Sequence, residues 1–343
     1  AVQAVNPSTL DFPSSNLTAS FAGKIAGVIA TQRSGEPGAD GANFWIRGIS
    51  TFGSNKSPLI VMDGVEITTE MLNSIAPETI ESFSVLKDAT ATALYGSRGA
   101  NGVMIITTKS GRDLDRMLIN IRVENGWSMP TSIQKIADGV TFMEAYNEAA
   151  GTMYYSQDKI DGTRERRNPY IYPDNDWYKS LFKNYTMNQN VNANITGGGK
   201  RVDYFLNATF YNENGILESP NASKFNTNIN YQKYLFQSNI SAKVTSTTRL
   251  SLRMNTQLHF RHAPIESLSN LFFYTMRANP VRFPATWPGE EGDTFVRYGN
   301  AESPNGSSTD LNPYALMCRG FSDIHKSYYT ATLNLCLLYT SDA

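Results

Sequence analysis

The feature that most constrains this chain of 343 residues is a period of two in its apolar and polar side chains, repeated from about residue 115 onward. Such a period predicts β-strands that have one apolar and one polar face. The pattern occurs in six stretches, namely residues 118–127, 187–196, 202–212, 235–244, 250–260 and 326–338. Phe205 breaks the alternation in the third stretch. A soluble β-sandwich would alternate in the same way, so the period alone does not distinguish a sandwich from a membrane barrel.

The connectors between these stretches alternate in length. Two are tight turns, at residues 197–200 and 245–248, and three are long, at residues 128–186, 215–224 and 261–325. Outer-membrane β-barrels have this asymmetry, because their periplasmic turns are short and their external loops are long. Connectors of this size are unusual inside a compact soluble sandwich. The stretches also match the about 9–11 residues with which a strand crosses a bilayer, so the pattern favours barrel strands.

The two faces of the stretches predict two different environments. In a barrel, the apolar faces would meet lipid, and the rows rich in Asn and Thr would border a water-filled lumen. Trp127, Tyr204 and Tyr329 lie near strand ends and fit an aromatic girdle at the membrane interface. His259 falls on the polar face, and we interpret it as a pore-facing residue rather than a metal ligand.

Six strands leave open sheet edges, which lipid does not tolerate. We therefore expect the sequence to be a piece of a larger barrel. Residues 336–343, CLLYTSDA, resemble translated sequencing-adapter read-through, and the alternation fades there. We assign no function to Cys336 or to the residues after it.

Composition excludes several classes of function. Lys and Arg total 30 and Asp and Glu total 31, so the net charge of −1 gives no electrostatic case for a nucleic-acid partner. The two cysteines, Cys318 and Cys336, and the three histidines form no CxxC, HxxxH or HExxH spacing, so neither a metal nor another cofactor is expected. No Ser/His/Asp or Cys/His set stands out, and we expect no enzyme. No apolar run is long enough for a transmembrane helix.

The first third of the chain mixes helical and strand patterns with glycine turns. Residues 17–28, LTASFAGKIAGV, carry apolar side chains at helical spacing, which predicts a helix. A strand followed by an Asp-Gly turn is expected within residues 57–65. Residues 77–87 pass from a helix start into a strand, and residues 103–108 form a further apolar strand.

Three motifs in this part resemble the plug domain of TonB-dependent receptors. They are IRG at residues 46–48, PLIVMDGV at residues 58–65 and IESFSVLKDATATALYGSRGANGVMIITTK at residues 80–109, in that order and spacing. The last of these and SGEPGADGANFWIRG, at residues 34–48, are similar to the SusC/RagA branch of that family. The match covers about the first third of the chain.

The resemblance implies an α+β plug domain over residues 1–114, followed over residues 115–343 by antiparallel transmembrane β-barrel strands of an incomplete barrel. It places the protein in the bacterial outer membrane, in contact with lipid, with the plug filling the barrel lumen. It implies import of an oligosaccharide or peptide that is coupled to the TonB–ExbB–ExbD complex and assisted by a SusD-like lipoprotein. The family's TonB box is not visible in this sequence.

The same resemblance supplies candidate site residues. Plug loops that face outward help to line the substrate cavity, and the residues expected to contact substrate are Ser34, Glu36, Asp40, Asn43, Phe52, Asn55 and Lys56. A second set is expected to hold the shape of the plug and to dock it to the barrel through buried, paired networks. The alternative is that these pairs let the plug be remodelled during transport, and we favour the structural role. This second set comprises Arg47, Asp63, Lys87, Asp88, Tyr95 and Arg98.

Aromatic side chains in the long connectors either stack on sugar rings or anchor the loops to one another, and we favour anchoring. They are Tyr170, Tyr172, Trp177, Phe273, Tyr274 and Trp287.

Two other hypotheses stay open. One is a surface receptor or adhesin that binds without translocating, and a TonB box with an adjacent SusD-like gene would favour import over it. The other is a soluble nucleotide-binding protein in which residues 96–102, GSRGANG, cradle a phosphate. That segment lacks the Lys-Ser/Thr ending of a P-loop and leads into a strand rather than a helix, so a structural turn is favoured.

Overall fold

A computed structural model of the chain describes residues 2–10, 16–46, 57–87, 93–111, 116–133, 135–220, 223–290, 293, 295–300 and 311–337. These residues form a small α+β domain, here called the plug, and a six-stranded antiparallel sheet, here called the wall. No helix in this part of the chain is long and apolar enough to cross a bilayer.

The plug is built on a five-stranded sheet and a separate hairpin. The sheet contains β1 (Val2–Val5), β4 (Leu59–Met62), β5 (Val65–Glu66), β6 (Ile80–Leu86) and β7 (Val103–Thr108); the hairpin is β2 (Val28–Gln32) with β3 (Ala42–Ile46), and α1 is Thr69–Asn73. The strand order is β1-β6-β7-β4-β5, and β4 and β7 run parallel. Phe21, Leu72 and Phe83 are fully buried in the core. The three strands predicted in the first third of the chain are confirmed.

The helix predicted over residues 17–28 is wrong beyond its first turn. Only Leu17–Phe21 is helical, as a 3₁₀ turn, and Val28 already begins β2. Gly23 and Gly27 each have a φ of 72°, which lies outside the right-handed helical region and which glycine adopts at little cost. The apolar side chains at this spacing are still buried in the plug core, so the spacing identified core positions but not their backbone conformation.

All six strands predicted from the alternation are confirmed in the wall. They are β8 (Leu118–Ser128), β9 (Thr186–Gly198), β10 (Val202–Asn214), β11 (Asn230–Lys243), β12 (Thr248–Pro264) and β13 (Phe321–Leu337). Each pairs antiparallel with its neighbour in sequence, and the described strands form an open sheet with β8 and β13 at its edges. The two tight turns lie at one end of the wall, here called the turn end, and the three long connectors lie at the other, the loop end.

The plug covers one face of the wall, and the opposite face is apolar and exposed. Ile121, Val123 and Leu333 on that face are 67%, 71% and 67% exposed. The plug-covered face carries the Asn and Thr rows, and a hydrogen-bonded set on β9 and β10, which includes Asn192 and Asn207, is buried there. A large exposed apolar face of this kind is what a sheet facing lipid presents.

Apolar residues on the plug-covered face explain where the alternation failed. Phe205, which breaks the period in β10, is fully buried on that face. Tyr231 and Leu235, near the start of β11, are buried on the same face. Because they are apolar where the alternation requires polar residues, the pattern did not show that the strand begins at Asn230. A buried position on the plug-covered face need not be polar, so the pattern is weakest on the covered part of the wall.

The three long connectors fold into one layer at the loop end, here called the loop layer. Its helices are α2 (Gly139–Ala150), α3 (Gln157–Arg164), α4 (Trp177–Leu181), α5 (Leu268–Arg277) and α6 (Pro313–Met317). Each helix begins at a residue whose side chain accepts a hydrogen bond from a backbone N–H of the first turn. At α2, the N–H of Thr141 lowers the pKa of the capping Asp138.

Trp177 joins two connectors within this layer. Its side chain is 2% exposed, its ring lies 5.7 Å from that of Phe283, and its Nε1 donates to the carbonyl oxygen of Asn279 at 3.1 Å. We expect Trp177→Ala to lower the free energy of unfolding of the loop layer by about 3–5 kcal/mol, the usual cost of an emptied aromatic site. Limited proteolysis of the full-length protein in detergent measures this as faster cleavage within the connectors.

The control for this prediction is Tyr154→Ala, because Tyr154 is 65% exposed in the same layer. Equal cleavage of the two variants would contradict the assignment of Trp177 as a core residue.

Candidate functional site

The candidate site is the interface between the plug and the wall, and its main contacts follow β12. Arg253 pairs with Asp63 of the plug at 2.7 Å, Gln257 Nε2 donates to the carbonyl oxygen of Met71 at 3.1 Å, and Arg261 pairs with Glu36. These three wall residues are four apart and therefore share one face of the strand. At about 3.3 Å per residue, they distribute contacts over about 26 Å of its length.

Asp63 is positioned by the turn that follows β4. It has a φ of 50° and Gly64 has a φ of 85°, so the Asp-Gly pair forms the tight turn that its sequence predicts. The side chain of Asp63, 9% exposed, accepts hydrogen bonds from the N–H of Thr108 at 3.0 Å and from its Oγ1 at 2.5 Å. The ion pair with Arg253 is the third contact of this carboxylate. The carboxylate thus joins β4, β7 and the wall.

The end of β7 is held by the wall at two places. Asn239 Nδ2 donates to Thr108 Oγ1 at 2.7 Å and to the carbonyl oxygen of Lys109 at 2.8 Å. Gly111 then passes so close to the turn end that a Cβ built on it would lie 1.9 Å from the carbonyl oxygen of Gly197. Only glycine fits such a backbone approach.

A further ion pair joins the plug to β8. Arg122 contacts Glu78 of the plug at 2.8 Å and also pairs with Glu124 on its own strand. Asn190 of β9 donates to Glu124 at 3.0 Å. The interface is therefore rich in charged and amide groups, whereas the interior of the plug is apolar.

The plug loop at residues 33–41 lies at the loop end of the wall, and it contains three of the predicted substrate residues. Glu36 pairs with Arg261, whose Nε also donates to the carbonyl oxygen of Pro37 at 3.3 Å. Asp40 is buried and accepts a hydrogen bond from Asn16. Ser34 Oγ accepts from the N–H of Glu36 at 3.0 Å. The structure thus places Glu36 at the wall and buries Asp40.

The other predicted substrate residues are not brought to this loop. Asn43 is exposed on β3, where it pairs with Thr31 across the hairpin. Phe52, Asn55 and Lys56 lie outside the described residues.

Of the predicted docking residues that the structure describes, one contacts the wall and three make their contacts within the plug. Asp63 contacts the wall, as described above. Lys87 donates to Gln3 and to the carbonyl oxygen of Ala26, and Arg98 pairs with Glu66, so both act within the plug. Tyr95 packs beside a small cluster of buried side chains from β4, β6 and β7. Arg47 and Asp88 lie outside the described residues.

The glycine segment at residues 96–102 has a structural explanation in the plug. Gly102 has a φ of 89°, and a Cβ built on it would lie 2.7 Å from Cδ1 of Ile46. The segment leads directly into β7. Close packing of β7 against the hairpin therefore accounts for this glycine, as the favoured structural turn requires.

A cavity of about 420 Å³ opens between the plug and the loop-end half of the wall. The plug contributes the loop at residues 38–41 and the end of α1, with Glu70, Asn73 and Ser74. The wall contributes side chains from β11, β12 and β13, namely Tyr231, His259, Arg261, Ile324, Lys326 and Tyr328. His259, predicted to face the pore, lies on this plug-covered face.

The wall residues of the site were not singled out from the sequence, although their signal was present. Arg253 and Gln257 belong to the polar row of the strand predicted over residues 250–260, and Arg261 follows directly after that stretch. Long charged or amide side chains repeated every fourth residue on one strand face are the signal that points to a docking line.

In the described residues, no group of three His, Cys, Asp or Glu side chains is arranged to hold a metal ion.

The aromatic side chains of the connectors mainly contact other loop residues. Tyr170 and Trp287 stack with ring centroids 6.0 Å apart, although they come from different connectors. Tyr172 donates to Asp158 at 3.0 Å, and Phe273 packs against Tyr274. These contacts agree with the anchoring role favoured from the sequence.

Comparison with known proteins agrees with this architecture. Residues 1–103 match the family model of the TonB-dependent receptor plug domain. The chain is 30% identical over 244 residues to TonB-dependent receptor P26 of Formosa agariphila, covering 71% of this chain and 23% of that protein. It is 30% identical over 254 residues to TonB-dependent receptor SusC of Bacteroides thetaiotaomicron, covering 72% and 24%. The chain thus spans about a quarter of the length of these curated relatives.

Solved structures share the fold. The RagAB peptide importer in its open-open state aligns with a TM-score of 0.74 and 18% identity, over 98% of this chain and 39% of that one. A structure of the RagAB peptide transporter aligns with a TM-score of 0.69 and 20% identity, over 87% and 36%. The match to the plug family and the curated relatives identify the chain as part of a TonB-dependent receptor, a class of outer-membrane proteins. The chain belongs to the SusC/RagA type of these receptors.

Proposed function

We propose that the full-length protein imports an oligosaccharide or a peptide across the outer membrane, powered by the TonB–ExbB–ExbD complex and assisted by a SusD-like lipoprotein. The observation that carries this proposal is that the plug–wall interface is built mainly from polar and charged contacts. Most of the contacts described above are ion pairs and hydrogen bonds along β12, β11 and β8. Tyr328 also packs against the plug core, and Gly111 lies close to the backbone of β9 and β10.

Such an interface suits a plug that must move. When ion pairs and hydrogen bonds separate, water replaces the lost partners, so the net cost is about 0.5–1.5 kcal/mol for a neutral hydrogen bond and about 1.5–3 kcal/mol for one to a charged group. Separating an apolar interface would instead cost about 25 cal/mol for each Å² exposed. A pull on the plug therefore meets its weakest resistance at the wall and its strongest inside its own apolar core.

The relatives support the same function. One relative is SusC, and two of the solved structures with this fold are of the RagAB peptide importer or transporter. The peptide named for RagAB and the glycan expected from the SusC resemblance are both retained as substrate classes. The SusD-like partner is inferred from this kinship.

The test is uptake in a strain that lacks the gene and carries it back on a plasmid, with and without an intact TonB complex. We expect complemented cells to accumulate a labelled oligosaccharide or peptide, and accumulation to fall to the level of the deletion strain when TonB is removed. Surface binding of the same label is measured in parallel. Binding that persists with no TonB-dependent accumulation in any condition would overturn the proposal.

A further inference from the structure

The strongest unassigned feature is His259 on the plug-covered face of β12. Its side chain is 8% exposed and lines the cavity of about 420 Å³. Its Nδ1 lies 2.9 Å from the hydroxyl of Tyr231, whereas its buried Nε2 has no hydrogen-bond partner in the described part of the chain. Buried polar atoms are almost always paired, so an unpaired one at a cavity points to a ligand atom as its partner.

The hydrogen bond to Tyr231 indicates what Nε2 offers. A phenolic O–H is a good donor, and when it donates to Nδ1 of a neutral imidazole, the ring proton resides on Nε2. Nε2 is then a donor on a side chain that lines the cavity, and the partner that satisfies it is an acceptor such as an oxygen atom.

Two cations line the same side of the cavity. Lys326 is the direct cross-strand partner of His259 on β13, and its exposed side chain lines the cavity. Arg261 lies two residues along β12 and is already paired with Glu36. The wall side of the cavity therefore presents donors and positive charge to any ligand.

The plug side of the cavity has the opposite character. Glu70, at the exposed face of α1, is the acidic side chain that lines it, next to the amide of Asn73 and the hydroxyl of Ser74. A ligand with an anionic group would therefore bind with that group toward His259 and Lys326 and away from Glu70.

We propose that His259 and Lys326 form a carboxylate-binding subsite. The inference rests on the proposed import function and narrows its substrate to molecules that carry a carboxylate, either an acidic oligosaccharide or a peptide with a free C-terminus. A carboxylate accepts the Nε2 hydrogen and pairs with the ammonium group, so one group satisfies both. The volume of the cavity falls within the range of about 300–1,000 Å³ that is usual for small-ligand sites.

The test is calorimetric binding to the full-length protein in detergent, with two matched pairs of probes. One pair is trigalacturonic acid and its methyl ester, and the other is tetra-alanine and its C-terminal amide. We expect the acid of one pair to bind at least about tenfold more tightly than its neutral partner, because a charge-assisted contact is lost in the neutral form. The pair that shows the preference identifies the source of the carboxylate.

Variants assign the preference to the subsite. Lys326→Gln and His259→Asn should each reduce it about tenfold, whereas His259→Gln, whose amide reaches the position of Nε2, should retain most of it. Glu70→Gln should strengthen binding of the acid, because it removes a like charge. Lys200→Gln is the matched control, since Lys200 is an exposed lysine in a tight turn at the other end of the wall.

The outcomes separate the two proposals. If acids and neutral partners bind equally, or if no probe binds while the protein imports a neutral compound, the carboxylate subsite is wrong and import stands. If TonB-dependent uptake is absent for every substrate, the import function itself is wrong.

Discussion

Replacing Asp63 by asparagine should loosen the plug from the wall, making plug docking less favourable by about 2–3 kcal/mol. The variant keeps the turn, because asparagine tolerates the positive φ of this position. It removes the charge that pairs with Arg253, which is then left facing the plug without its partner. The measurement is a urea titration of the full-length protein in detergent, read as the onset of proteolytic cleavage within the plug.

The pair can be isolated with a double-mutant cycle. Arg253→Gln alone should be destabilising, and the double variant should cost less than the sum of the single changes. Glu66→Gln is the control, because Glu66 and Arg98 form an ion pair within the plug whose side chains are 44% and 65% exposed. Its effect should stay below about 1 kcal/mol. Additive effects of the Asp63 and Arg253 changes would contradict a direct interaction across the interface.

Gly111→Ala should make docking of the end of the plug less favourable by about 3 kcal/mol, an effect as large as that of the Asp63 change or larger. The reason is that the added methyl group meets backbone atoms rather than a side chain that can move. The new Cβ would lie 1.9 Å from the carbonyl oxygen of Gly197 and within 2.5 Å of backbone atoms of Tyr204. The chain after β7 must therefore shift away from the turn end of the wall. We expect faster proteolysis near this segment and a lower urea midpoint for plug release.

Gly199→Ala provides the matched comparison. Gly199 lies in the adjacent tight turn, and a Cβ built there meets no atom within 4 Å. That variant should behave like the unmodified protein. If both alanine variants were equally stable, the close approach of Gly111 to β9 and β10 would be wrong.

The wall could be predicted from the sequence because its two faces meet different solvents. Lipid and a polar lumen impose a period of two on every strand, so all six strands were visible. The period failed at Phe205 and at the start of β11, where a third environment, the plug, covers the polar face. A local pattern carries no information about such long-range coverage.

The loop layer was missed for a different reason. Its helices are short, between 5 and 12 residues, and each is stabilised by packing against other connectors rather than by a strong helical period. The capping residues were readable in the sequence, for example Ser156 before α3 and Ser267 before α5. Without the neighbouring connectors, however, a cap and one turn do not specify a helix.

The candidate site was predictable only in part. The Asp-Gly turn fixed the position of Asp63, and a docking role for it followed from the resemblance to plug domains. Its partner Arg253 lies on a strand far away in the sequence, and the choice among the polar residues of that strand depends on how the domains pack. For the same reason, the contact of Glu36 with Arg261 could not be derived from the loop that contains Glu36.

The central claim is that the apolar face of the wall meets lipid and that the plug covers the polar face. Spin labelling in outer-membrane vesicles tests this most directly. Nitroxide labels are placed at Val123 and Leu333 on the exposed apolar face, and at Ser251 on the plug-covered face. We predict that the first two labels collide readily with oxygen and poorly with a water-soluble nickel chelate, and that the label at Ser251 shows no such lipid signature. Labels at Val123 and Leu333 that are open to the nickel chelate, or shielded from both reagents, would contradict the account.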